Sequence, residues 1–230
     1  VVAELLDATD ILHVDPELYV MADGPALGEF RETFAGMLGT LELVPNEGED
    51  GQLLFAGSNQ IKGTEEFLAD LDSSAVHQLN TRRFLKARLF DFVINDSDRG
   101  GDQWRWARYE EREGYRWEPI PRDRDWAFVD AEGLLVKLAS TVYPKVVKFQ
   151  PEYPDVKGLT VGSWELDRRL LAGVDWDVWA ELVAELQSEL TDETIDTSLT
   201  ALPEPWRLVV GERLATGLRS RRDGLEAFAR

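Results

Sequence analysis

Two acidic loops carry the residue types of a divalent-cation site. The first reads Asn95-Asp96-Ser97-Asp98-Arg99-Gly100-Gly101-Asp102-Gln103-Trp104. The second reads Pro119-Ile120-Pro121-Arg122-Asp123-Arg124-Asp125-Trp126-Ala127-Phe128. A hydroxyl that attacks a nucleoside triphosphate needs a carboxylate near its proton and a metal ion to neutralise charge on the phosphates. Magnesium takes oxygen ligands and keeps several waters, so two or three side chains suffice. Asp98 after one helix, Gln103 five residues on and Asp123 after a hairpin supply such a set. Paired carboxylates also serve glycoside hydrolysis, but nothing beyond their abundance favours it here. A plainer reading is that the loops are solvated acid-rich surface.

The surrounding chain must place these loops. Asn80 or Thr81 caps a helix whose stripe Phe84, Leu85, Leu89, Phe92 and Val93 predicts a buried face, and that helix stops at Asn95. Alternating large residues from Gln103 to Tyr109 and from Tyr115 to Ile120 predict a hairpin. Trp104 and Trp106 alternate as strand residues do, so packing under the hairpin is favoured over a base-stacking platform. Upstream, Ile11–Val14 and Leu18–Met21, split by Asp15-Pro16, predict another hairpin, and Leu27–Leu41 predicts a helix. Pro45 to Gly51 is polar and Gly-rich, a loop. Thr64 is placed to cap a short helix through Leu71. Leu134 to Val147 has helical spacing that Pro144 ends or kinks, and 150–162 reads as loop. Helices are expected at Leu166–Leu171, Asp175–Leu190 and from Thr191, with Pro203 and Pro205 separating the last from Arg207–Arg219.

Composition narrows the function classes. A net charge of −19 argues against bulk attraction to nucleic acid or to an anionic membrane. There is no cysteine, hence neither disulfide nor thiolate chemistry. No apolar run reaches the roughly 18 residues needed to span a bilayer. His13 and His77 have no Cys or His partner near them in sequence, which argues against a zinc site. Arg99, Arg105, Arg122 and Arg124 lie among the carboxylates, either as ion-pair partners or as phosphate ligands.

The order and spacing match protein kinases, where the catalytic Asp and a metal-binding Asn share one loop and a further metal-binding Asp follows. Asp98-Arg99-Gly100-Gly101-Asp102-Gln103-Trp104 resembles the Asp-Arg-His-x-x-Asn loop of atypical kinases, namely the HipA toxins, the spore-coat CotH kinases and the secretory-pathway kinases. Pro119 to Phe128 resembles the CotH ending Ile-Pro-Trp-Asp-Leu-Asp-x-x-Phe. A fuller resemblance is to uncharacterised bacterial kinase-like domains, often found in one polypeptide with a metallophosphoesterase. They share Asp102-Gln103-Trp104-Arg105-Trp106 and Pro119 to Asp125, and are similar at Leu27-Gly28-Glu29-Phe30 and Leu166-Asp167-Arg168-Arg169. That likeness covers most of the chain; likeness to the characterised kinases covers residues 80–128.

The resemblance implies a mostly helical α+β fold: the lower lobe of a kinase-like domain over residues 25–230, with residues 1–24 the remnant of an upper lobe and hinge. The β portion would be residues 11–21 and the hairpin 103–120. By position, Asp98 is the catalytic base, Gln103 and Asp123 are Mg²⁺ ligands, Asp125 a second ligand or support, and Arg99 and Arg122 hold the nucleotide. Gly100 stands where those kinases have His, and Gln103 where they have Asn. No Gly-rich phosphate loop and no Lys paired with a helical Glu precedes this stretch, so the strands gripping ATP are expected upstream of Val1 or not at all. The partners implied are ATP with Mg²⁺, an unidentified acceptor and an attached metallophosphoesterase, in the bacterial envelope or exported. The alternative is a catalytically silent kinase-like module that binds or regulates a partner.

Overall fold

The computed structural model describes residues 1–45, 55–130, 143–154 and 156–230. The molecule is α+β and mainly helical, with two small sheets. Its axis is α4 (Thr81–Ile94), preceded by α1 (Val2–Leu6), α2 (Arg31–Phe34) and α3 (Thr64–Ser73). Behind it come α5 (Val156–Thr160), α6 (Trp164–Leu171), α7 (Trp176–Glu189), α8 (Asp192–Ser198) and α9 (Glu204–Ala229).

Helix α4 begins where the sequence places a cap: the Asn80 side chain accepts from the Arg83 N–H at 3.2 Å. Every residue from Phe84 to Ile94 is buried, so the expected one-sided stripe is instead a helix covered all round. Burial then includes Lys86, Arg88 and Asp91, and charges taken out of water persist only when paired. Lys86 Nζ donates to Asp10, Glu185 and Glu189 at 2.7, 2.5 and 2.8 Å, tying α4 to α7 and to the N-terminal segment. Arg88 reaches α6 through Asp167 at 2.9 Å and Ser163 at 2.7 Å. From α9, the fully buried Arg221 guanidinium donates to the carbonyls of Phe92 and Val93, a cation closing the negative end of α4.

The hairpin forms as expected. β5 (Trp104–Glu111) pairs antiparallel with β6 (Gly114–Pro121), in register from Trp104↔Pro121 to Glu111↔Gly114. Two unforeseen strands widen it: β3 (Gln60–Lys62) runs antiparallel to β5, and β4 (His77–Leu79) parallel to β6. Trp104, Trp106 and Trp117 are fully buried. Phe67 of α3 stacks on Trp106 at 3.9 Å between centroids, and Phe84 of α4 lies 5.0 Å from Trp104. The tryptophans are therefore core, each burying enough apolar area to contribute roughly 1.5–3 kcal/mol.

Three expectations change. Residues 11–16 form no strand, and β1 (Glu17–Val20) pairs instead with β2 (Leu38–Leu41), so the hairpin over 11–21 does not form. The helix expected over 27–41 survives as a 3₁₀ turn at Pro25–Phe30 and the single turn of α2. Gly36, at φ 75°, reverses the chain so that its N–H meets Met21 O at 2.9 Å, which commits Leu38–Leu41 to the ribbon. Finally, α9 runs unbroken through residues 204–229, because Pro205 sits in its first turn, where its missing N–H costs nothing.

Thr64 is the first helical residue of α3 rather than its cap, and a short helix, α5, interrupts the loop expected over 150–162. Most of the Pro45–Gly51 loop and of the helix expected from Leu134 lies outside the described residues; Pro144 is in a turn. Leu5, Leu6 and Ile11 pack in the same core as α4, α7 and α9. Among the described residues no helix is long and apolar enough to cross a membrane.

Candidate functional site

The first acidic loop leaves α4 at Asn95, which adopts the left-handed conformation at φ 64° that Asn tolerates. Its side-chain amide donates to Val147 O at 2.8 Å, and Ser97 Oγ donates to Lys145 O at 2.5 Å. The loop is thereby stitched to residues 145–147. Lys145 returns its amine to Asp98 at 2.9 Å and lies 5.0 Å from the centre of the Trp126 ring. Asp98 is thus partly exposed and already ion-paired.

Beneath the loop is a buried charge network. Asp91 is fully buried and accepts from Arg88 Nη1 at 2.6 Å and Arg124 Nη1 at 2.5 Å, with Arg99 Nε 3.2 Å away. Burial alone would raise the Asp91 carboxyl, but Arg99, Arg124 and Arg88 outweigh it and hold it below the ordinary carboxylate range. Asp96, equally buried, is pushed up to about 7 by desolvation, which the pull of Arg99 does not offset. One of its oxygens has no hydrogen-bond partner among the described residues.

Arg99 lies inside this network. It is fully buried, donates to Arg122 O at 2.5 Å and Gln103 O at 3.2 Å, and stacks on Trp104. In that position it ties the first loop to the second, the bracing for which Gly100 has no side chain. Gln103 stands at the open end of the hairpin, where Arg122 N donates to its carbonyl at 2.9 Å. Its backbone therefore joins the two loops.

Asp123 and Asp125 are exposed on the second loop, Asp123 at φ 51°. Partial desolvation, then the charge of Asp123 and a hydrogen bond with it, then the charge of Asp98, raise the Asp125 carboxyl. Three carboxylates from two loops thus stand within electrostatic reach. Their ligand atoms do not close to within 4.8 Å as a group; among the described residues that holds for Asp7, His13 and Asp15 and for Asp10, Glu185 and Glu189.

Arg122, Asp123, Arg124 and Asp125 line a cavity of about 500 Å³ whose other side is built from residues 1–18 and the β1–β2 ribbon. The Nε of Arg122 is buried there without a hydrogen-bond partner among the described residues. Asp123 and Asp125 are all-oxygen donors that repel one another, a set that suits a hard cation. The Arg122 guanidinium on the cavity wall suits an anion. Sequence reading singled out neither Lys145 nor Asp91 as part of the site. No protein-family model matches this chain, and no curated protein matches it in sequence.

Proposed function

We propose that this chain binds a nucleoside triphosphate with Mg²⁺ and transfers its terminal phosphoryl group, through a site of the atypical-kinase kind. The observation that supports this reading best is that Asp123 and Asp125 line a cavity of about 500 Å³ with Asp98 within electrostatic reach of Asp125. Asp123 and Asp125 hold the cation, with Gln103 at the same end of the hairpin. When bound, the cation neutralises charge on the phosphates. Asp98 accepts the proton of the attacking hydroxyl. Lys145, 2.9 Å from Asp98, answers negative charge on the transferred group, and the Arg122 guanidinium on the cavity wall takes a phosphate oxygen. The buried Arg99–Asp91–Arg124 network positions both loops.

A second reading has its own observation. The far side of the cavity presents Glu4, Glu42 and His13, and no lysine lines the cavity among the described residues. Without a cation gripping the phosphates from above, the same scaffold serves as a silent module that binds or regulates a partner. ATP turnover separates the two. Release or transfer of labelled γ-phosphate by the wild type, abolished in Asp98→Asn while nucleotide binding persists, supports catalysis. Nucleotide binding without turnover supports the silent module, and neither binding nor turnover overturns both nucleotide readings.

A further inference from the structure

The side of the cavity opposite Asp123 carries metal-ligand types that phosphoryl transfer does not use. Asp7 follows α1, and His13 and Asp15 lie in the stretch 11–16. His13 Nε2 is 3.1 Å from Asp7 Oδ1 and 3.6 Å from Asp15 Oδ1, and one ligand atom from each residue lies within 4.8 Å of the others. Metal–ligand bonds of about 2.0–2.2 Å put neighbouring ligand atoms roughly 3–3.6 Å apart. The two measured separations from His13 already have that span.

The ring's orientation is fixed from behind. His13 Nδ1 is 3.0 Å from the Ile11 carbonyl, which can only accept, so Nδ1 carries a proton. Ile11 is a core residue, and its N–H is held by Thr9 Oγ1 at 3.2 Å. Nε2 is then left facing two carboxylate oxygens, and either a proton or a metal ion held among the three atoms satisfies them. Among the described ion pairs, Asp7 and Asp15 meet only His13. A metal-bound imidazole donates its other N–H to a backbone carbonyl in this same manner.

We infer that Asp7, His13 and Asp15 form a binding site for a divalent transition-metal ion of the zinc class. An imidazole nitrogen with two carboxylates selects a borderline ion over magnesium or calcium. Of the three residues, His13 also lines the cavity. The absence of a nearby Cys or His in sequence hid the site, because its other ligands are two aspartates brought close by a turn. The inference stands independently of phosphoryl transfer.

The chain has two histidines, so its imidazole nitrogen NMR spectrum contains two rings, assigned with His77→Gln. Zinc is titrated into metal-free protein while calorimetry gives the stoichiometry. The expected result is that the first equivalent moves the His13 Nε2 resonance and leaves His77 in place. Affinity should fall at least roughly tenfold in Asp7→Asn and in Asp15→Asn, and stay unchanged in His77→Gln. Asp7 and Asp15 are exposed, so these variants keep the fold. The inference is overturned if equimolar zinc leaves the His13 ring unmoved, if both its nitrogens stay protonated at neutral pH throughout the titration, or if neither aspartate variant weakens binding.

Discussion

Replacing Asp91 with Asn should unseat both acidic loops at once. The carboxylate is fully buried and bonded to Arg88 and Arg124 at 2.6 and 2.5 Å, with Arg99 at 3.2 Å. Removing one partner of a buried ionic cluster costs about 3–5 kcal/mol, because the remaining charges stay desolvated without their counter-charge. Asn keeps the shape and one acceptor oxygen, so the expected loss is at the low end, about 3 kcal/mol. That is a large part of a total stability of about 5–15 kcal/mol. At about 2–4 °C per kcal/mol for a chain of this size, the melting temperature should fall by roughly 6–12 °C. Urea unfolding followed by tryptophan fluorescence reads it directly, since Trp104, Trp106 and Trp117 are buried and Arg99 stacks on Trp104. A loss below about 1 kcal/mol would refute the claim that this cluster holds the loops.

Two further perturbations test other parts of the account. Asp96 has a folded-state pKa of about 7 against about 3.9 unfolded, so between those values the folded form binds more protons and its stability falls as pH rises, levelling off above pH 7. Asp96→Asn should remove that slope, so the variant gains on the wild type by a few kcal/mol between pH 4 and 7.5 in urea midpoints; an unchanged difference across this range would count against a buried protonated Asp96. In α9, a Cβ at Gly217 would come within 2.5 Å of Phe149 Cε1, and Phe149 is itself buried. Gly217→Ala should therefore destabilise by about 1–3 kcal/mol despite the better helix propensity of Ala. A higher thermal midpoint for that variant would show that Phe149 has room to move.

What was legible in the sequence was local. The cap at Asn80, the stop at Asn95 and the hairpin from Trp104 to Pro121 each depend on residues a few positions apart. So do α6 and α7, whose bounds fall within two residues of expectation, and the start of α8. The ribbon β1–β2 was not legible, because its pairing joins residues about twenty apart and Leu27, Phe30, Phe34 and Met37 imitate a helical stripe. Phe30, Phe34 and Met37 are exposed, so the periodicity there reflected no buried face. In the site, the carboxylate spacing pointed to loops that do meet. The roles of the arginines did not follow from sequence, since whether Arg99 or Arg122 faces the cavity depends on which one Asp91 draws inward. Lys145 reaches Asp98 from 47 residues away, and no local pattern announces that contact.

The most direct test of the central reading is calorimetric titration of the chain with ATP, with and without Mg²⁺, beside Asp123→Asn. The account predicts binding that requires Mg²⁺ and is lost in the variant, while the variant's urea midpoint stays within about 0.5 kcal/mol of wild type because Asp123 is exposed. Absence of Mg²⁺-dependent binding by the wild type, or equal binding by the variant, would contradict it.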